Sequence, residues 1–372
     1  MRNRPDRKSA RALRCLLLAI LAFSALSACA ARPGGAARAG DARLGAALVP
    51  EPLSFLEGEF RRDGGFVALA DRRVFAVMAF LNAAGFDEEA GGPMGEARLL
   101  CRELVAANLK GRERKLEDWR RFYRGSRLGS FVYQDYVLSL SADYPFRRIR
   151  PDSELGYPKA AKALERLPGM LNEFWTIARL DEVWKELSPH YQAAISAYDL
   201  GSMGAEVEGL WSYLREERPD TFVFVMVPNL LDRRYSAIGA RYEGYYYGVE
   251  SPGAGSGGLN LHEYLHSYVN PLVAKALDPG QASGGLRDKL ALYYEKGRTG
   301  PYARSYQEPV TFVAECLVRA LDNRLRGAAT TTAQETAGGL GLVGPFHLAL
   351  EGFEASKKSF SDYLPELLAA VE

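Results

Sequence analysis

The sequence predicts an α+β protein, and three observations lead to that class. Apolar residues recur at i, i+3, i+4 and i+7 through much of residues 70 to 217, the spacing of amphipathic helices. At Thr221 the pattern changes to a β-branched and aromatic run, "TFVFVMVP", too short for a free helix and bounded by Asp220 and Pro228. Helical patterns return beyond residue 258, so strand-rich and helix-rich stretches are segregated rather than alternating. With 47% apolar and 25% charged residues the composition is that of a globular protein.

The N-terminus reads as an export signal. Residues 1 to 14 hold six basic side chains against one acid, Asp6, and lead into the apolar run "CLLLAILAFSALSA". That is the layout of a secretory signal peptide, and the run ends too early for a comfortable membrane span. It closes in "LSAC", Leu26 to Cys29, which looks like a bacterial lipobox. Residues 1 to 28 are therefore expected to be removed and Cys29 to carry a lipid. Ala30 after the cysteine resembles the default for outer-membrane sorting, which places the protein in the cell envelope with an N-terminal membrane anchor. Residues 29 to 46 are small, Gly- and Ala-rich, and read as a flexible tether.

Charge and cysteine content exclude more than they assign. The chain carries 47 basic and 46 acidic residues, of which the first 28 hold six and one, so the remainder has 41 and 45 and a net charge of about −4. No clustered basic face points to nucleic acid. Beyond Cys15 and Cys29 only Cys101 and Cys316 remain; a disulfide and two buried thiols are both compatible with the sequence.

Residues 47 to 217 form the expected helical N-terminal region. Val74, Val77, Met78 and Leu81 make one stripe; Leu180, Val183, Trp184 and Leu187 make another; Val207, Leu210, Trp211 and Leu214 a third. All are read as core. His190, in "SPHYQ", falls where two helices would meet and reads as a capping or surface residue. Residues 218 to 372 form the second region. After the strand at 221–228, "RYSAIGARYEGYYYGVE" predicts one or two further strands dense in tyrosine, and "SPGAGSGG" a loop without the spacing of a phosphate cradle. Then come a helix from about 259, another over 286–297, a helix opened by Pro309, a Gly/Thr-rich loop at 327–344 and a terminal helix from about 350.

The helix from 259 reads "LNLHEYLHSYVNPL" and holds two of the four histidines. His262 and His266 are four apart, so an α-helix sets them one turn from each other on one face, where both imidazoles can meet one metal ion. Glu263 is rotated about 100° from His262 and projects beside the ion as a base rather than a ligand. Zinc lowers the pKa of its water to about 7, within reach of a carboxylate base. Leu261, Leu265, Tyr268 and Val269 cluster on the opposite side and predict the face that packs on the core. An extended motif would need His at 272, where the sequence has Leu272, so a carboxylate from a later helix is the expected third ligand. "EPVTFVAECLVRALDNR" is that helix, with Pro309 at its first position and Glu308 as its cap. Glu315 is preferred to Glu308 because it sits inside the helix and has Arg319 one turn on as a holding partner; a solvated i,i+4 pair is the plainer reading. Glu295 and Asp288 remain as further candidates.

With these residues in hand, the chain resembles gluzincin-like zinc metallopeptidases. More closely it resembles a family of bacterial secreted proteins and lipoproteins with the pattern H-E-x-x-H-S-[FY]-V-N-P, which "HEYLHSYVNP" at 262–271 matches throughout. "ECLVRA" at 315–320 looks like that family's downstream Glu-bearing helix, and "ARLDEVWKELSPHYQ" like its upstream helical region. The resemblance implies a zincin-like core: a small twisted sheet, an active-site helix and a helical C-terminal lobe. It implies a zinc-dependent peptidase acting on peptide or protein substrates, with Glu263 as catalytic base and His262, His266 and Glu315 as ligands. The better-known gluzincins place Asp four residues after the ligand Glu; here that position is Arg319, so the support of the ligand must differ. Tyr302, Tyr306 and His347 are the candidates for stabilising an oxyanion. The tyrosine-rich stretch near 242–248 is a candidate edge for an extended peptide, while core or sheet-face packing is the plainer reading for any single one of its tyrosines. Two other readings stay open: a zinc-binding lipoprotein that recognises peptides or envelope components without cleaving them, and a helical scaffold in which HEYLH carries no metal.

Overall fold

The computed structural model describes residues 60–371 apart from 64–65, 88–93, 219–222, 243–244, 255–260, 279, 281–283, 304–305 and 307. The expected signal peptide, Cys29 and the 29–46 tether lie outside the described residues. No helix among the described residues is long and apolar enough to cross a membrane.

The class is α+β, with a five-stranded mixed sheet between two helical layers. The strands are β1 (Phe60–Asp63), β2 (Phe66–Leu69), β3 (Val223–Pro228), β4 (Ala237–Tyr242) and β5 (Tyr245–Glu250). Their order is β1-β2-β3-β5-β4, with β2, β3 and β5 parallel and the outer strands antiparallel to their neighbours. The two-residue period of a strand sends Val67, Val225, Tyr247 and Val249 to one face and Phe66, Phe224, Met226 and Tyr246 to the other. Both faces are covered, which is why β3 reads as an unbroken apolar run rather than an alternating one.

The first face is covered by α1 (Arg72–Ala84), α2 (Glu96–Asn108), α3 (Glu113–Ser126), α4 (Ser130–Leu138), the short α5 (Ala161–Leu164), α6 (Leu167–Ile177) and α7 (Leu180–Ser196). The second is covered by α8 (Leu200–Leu214), α9 (Leu261–Ala276), α10 (Gly284–Gly297), α11 (Pro309–Leu325), α13 (Val343–Ala355) and α14 (Phe360–Ala369), with α12 (Ala329–Ala337) packed behind α11. Helix α1 shows how local chemistry sets an element. The Asp71 side chain accepts from the Arg73 and Val74 amides as its N-cap, and Gly85 ends it at φ 105°, where a side chain would be strained. Asp71 also pairs with the buried Arg73 at 2.6 Å, and Arg73 donates to the Leu138 and Leu140 carbonyls at 3.0 Å, closing the end of α4. On the other face Phe224 stacks on Tyr246, with ring centroids 5.5 Å apart, and meets Tyr264 of α9 at 5.4 Å. Gly248 makes room for that ring, since a Cβ there would lie 2.9 Å from it.

Several sequence expectations need correction. Residues 60–69, within the region expected to be mostly helical, supply β1 and β2, and "RRDGGF" carries the Asp-Gly turn signal that could have found them. β2 pairs with β3, and α8 packs in the second layer, so the sheet and its cover draw on residues from both sides of 217/218. The tyrosine-rich strand is not an edge: Tyr245–Glu250 is bonded on both sides, and the outermost strand is Ala237–Tyr242. His190 lies inside α7, which runs through Pro189. The stretch at 327–344 is not all loop but contains α12, which the contacts of Glu335 with Arg319 and Asn323 stabilise against a Thr-rich composition. The terminal helix is two, α13 and α14. Cys101 and Cys316 are free, buried in opposite layers, and burial pushes the Cys101 thiol up to about 12.

Asp135 of α4 is buried and accepts from the Tyr242 hydroxyl of β4 at 3.0 Å. Burial pushes its pKa from 3.8 to about 7, against the opposing pull of Tyr242 and the Gly156 and Tyr157 amides. The folded state then holds a proton that the unfolded chain has released between about pH 4 and pH 7, so this group makes stability fall as pH rises through that window. The isosteric amide mimics the protonated acid. Asp135→Asn is expected to remove roughly 2–3 kcal/mol of that decline, read from denaturant unfolding at pH 5 and pH 8; an unchanged pH dependence would sink the assignment.

Candidate metal centre

Helix α9 is built to carry two faces. Leu261, Tyr264, Leu265, Val269 and Val273 are buried in the second core cluster, with Tyr264 against the sheet. That packing turns His262 and His266 toward α11, whose own apolar residues Phe312, Val313, Cys316, Leu317, Ala320 and Leu321 are fully buried. α11 packs directly on α9 and brings Glu315 to the two histidines. Pro309 occupies the start of α11, and Glu308 holds the N-cap position without a side-chain capping bond.

His262 Nε2 and His266 Nε2 are 3.1 Å apart. Glu315 Oε2 lies 3.2 Å from His266 Nε2, and Oε1 lies 3.6 Å from His262 Nε2. His266 Nδ1 faces the side-chain oxygen of Asn270, one turn along α9, at 3.0 Å. In the neutral imidazole Nδ1 is then the donor, and the Nε2 lone pair points at Glu315 and His262. The Oε2 atom of Glu315 is buried and receives no hydrogen bond. Three electron-rich atoms thus converge with no positive group between them, and a metal ion is what such a donor set fits. These three residues could hold a metal ion among the described residues.

The electrostatics agree in direction. Burial disfavours an ionised Glu315, but the Arg319 guanidinium and the two imidazoles outweigh it and hold the carboxyl well below its ordinary range. Burial holds His262 well below 6.5 despite the attraction of Glu315. Burial alone would lower His266, but the neighbouring Glu315 carboxylate outweighs it and raises the pKa. The carboxylate therefore attracts a positive charge into the triangle, which a proton or a metal ion can supply.

Around this triangle the other candidates separate. Glu263 is completely buried beside the histidines, its charge felt by His266. Arg319 is buried, not solvated, and its Nε donates to Glu315 Oε1 at 2.5 Å. Tyr306 lies beside Glu315 and Arg319, burial pushing its hydroxyl well above its ordinary pKa. Tyr302 instead packs against Gly338, and His347 sits half-buried on α13. Glu308 pairs with Lys159 at 3.8 Å, Glu295 with Arg298 at 2.8 Å, and Asp288 is exposed, so none of the three joins the donor set. Of the three, His262 is the most exposed, with 15% of its side chain accessible against 2% for His266 and 1% for Glu315.

Asn270 and Glu335 went unassigned from sequence. The i+4 spacing from His266 was the available signal for Asn270; none existed for Glu335, which comes from another helix. Since Asn270 fixes which His266 nitrogen faces the site, Asn270→Leu is expected to weaken metal affinity about 10–100-fold, read by competition with a chelator. Unchanged affinity would show that His266 needs no such guide.

Comparison with protein-family models, with curated proteins and with solved structures finds no match to this chain.

Proposed function

We propose that this chain is a zinc-dependent peptidase of the gluzincin-like type, held in the bacterial cell envelope by a lipid on Cys29. The observation that carries the reading is the convergence of His262, His266 and Glu315 beside Glu263 on two packed helices. Zinc suits the donor set: nitrogens and oxygens at 2.0–2.2 Å around a tetrahedral ion stand roughly 3.3–3.5 Å from one another. The donor separations of 3.1 and 3.2 Å are close to that spacing. Three protein ligands leave one position open, the pattern of catalytic rather than structural zinc. Bound there, zinc supplies Lewis-acid chemistry toward a peptide carbonyl.

The chain's own residues do the rest. His262 and His266 offer neutral Nε2 atoms, and Asn270 holds His266 in the required tautomer. Glu263 accepts the proton that an attacking water loses and returns it to the departing amine. A sheet sandwiched between helical layers and an active-site helix seated on it by Tyr264 are consistent with a zincin-like core. Near-complete burial of Glu263, His266 and Glu315 also suits a second reading, a lipoprotein that binds zinc and recognises peptides or envelope components without cleaving them.

The chain purified from residue 30 is expected to hold about one zinc per molecule, measured by elemental analysis, and His262→Ala and Glu315→Ala are expected to lose it. Zinc retained in Glu315→Ala alone would move the third ligand elsewhere; a zinc-free parent after zinc is supplied would end the proposal. Glu263→Gln should keep the metal and lose peptidase activity about 10²–10⁴-fold. If it keeps its full biological function, the binding reading stands instead.

A further inference from the structure

Glu315 presents its two oxygens differently. Oε1 accepts from Arg319 Nε at 2.5 Å, whereas Oε2 accepts nothing and faces His266. Arg319 is held from a second side, its Nη1 donating to Glu335. The other oxygen of Glu335 accepts from Asn323 Nδ2 at 2.7 Å. Glu315, Arg319, Glu335 and Asn323 are all more than nine-tenths buried. A planar guanidinium gripped by one carboxylate can still swing about that bond; gripped by two, its fork has one orientation.

Three of the four residues lie on one face of α11 at i, i+4 and i+8. The fourth, Glu335, is supplied by α12, whose position is set by close backbone contact. A Cβ on Gly297 would fall 1.9 Å from the Gly339 carbonyl oxygen, and one on Gly300 would fall 2.4 Å from that of Gly338. The Tyr302 amide donates to the Gly338 carbonyl at 3.1 Å. Glycines at 297 and 300 let the end of α12 press directly on this turn, which leads on to Tyr306 beside Glu315.

We propose that Glu335 is a positioning residue of the metal centre: by pinning Arg319, it fixes Glu315 with Oε1 held by the guanidinium and Oε2 left facing His266. The inference rests on the metal-centre reading and deepens it, because it gives α12 control over the third ligand. It also accounts for Arg319 standing where an acid is expected from the resemblance. An arginine beside a ligand carboxylate needs a second acid to hold it in place.

The test is zinc affinity of the full chain in detergent, by chelator competition, beside the visible spectrum of the cobalt-substituted protein. Glu335→Gln is expected to keep one site, weaken it about 10–100-fold and alter the cobalt bands, while Glu335→Asp recovers part of the loss. Combining Glu335→Gln with Arg319→Lys should weaken binding little beyond either change alone, because both act through one contact. Asp71→Asn, in a buried ion pair of the other layer, serves as control and should lower stability without moving zinc affinity. If Glu335→Gln behaves like that control, with affinity within twofold and unchanged cobalt bands, Glu335 is only structural and the inference falls. A parent chain that binds no zinc overturns the metal reading and this inference together. Should Glu335→Gln fail to fold, Asn323→Ser frees only the far oxygen of Glu335; weaker zinc binding then supports the proposal and unchanged binding overturns it.

Discussion

A carboxylate buried against two imidazole nitrogens is the constraint on which the C-terminal half of this protein turns. Removing an ion from water without a partner costs several kcal/mol, so Glu315 can be placed in the core only with compensation. Arg319 satisfies one of its oxygens. The other is directed at His266 without a donor, and through this atom the cluster could hold a metal ion rather than serve only as a buried ion pair. The protein supplies one cation on one side of Glu315 and leaves the opposite side for another.

The fold supports this arrangement by stiffness. The sheet is covered on both faces, so α9 is seated on an aromatic floor of Phe224, Tyr246 and Phe66 through Tyr264. Helix α11 is buried over most of its circumference, which prevents the carboxylate from rotating away from the histidines. Ligands on two packed helices are held more closely than ligands on loops. The polar atoms sit where the apolar faces of α9 and α11 end, and position follows from packing.

The departures from sequence expectation have a common cause. A periodicity reports one element's own pattern and is silent about its neighbours. The hairpin at 60–69 joins a sheet whose other strands lie more than 150 residues on, and no local signal says so. The helix at 329–337 has a composition that disfavours it, yet Glu335 finds buried partners in Arg319 and Asn323 of the neighbouring helix. The tyrosines of 245–247 leave edge and core packing both open in the sequence because tyrosine is amphipathic, and the strands on either side enclose them.

What the sequence by itself determined is local. The i,i+4 histidines, the glutamate between them, the apolar face of their helix and the Pro309 start of α11 follow from a 3.6-residue period and the chemistry of helix ends. The α+β class follows from the change of period at residue 221. What only the tertiary structure decided is which distant carboxylate completes the set and how it is held. Glu308, Glu295 and Glu315 are equally acidic in the sequence; their separation from His262 and His266 depends on how α9 and α11 pack. The Arg319–Glu335 contact likewise joins two helices whose relative placement no spacing encodes. Contacts within a helix are written in its period, and contacts between helices are set by the shapes of the faces they bury.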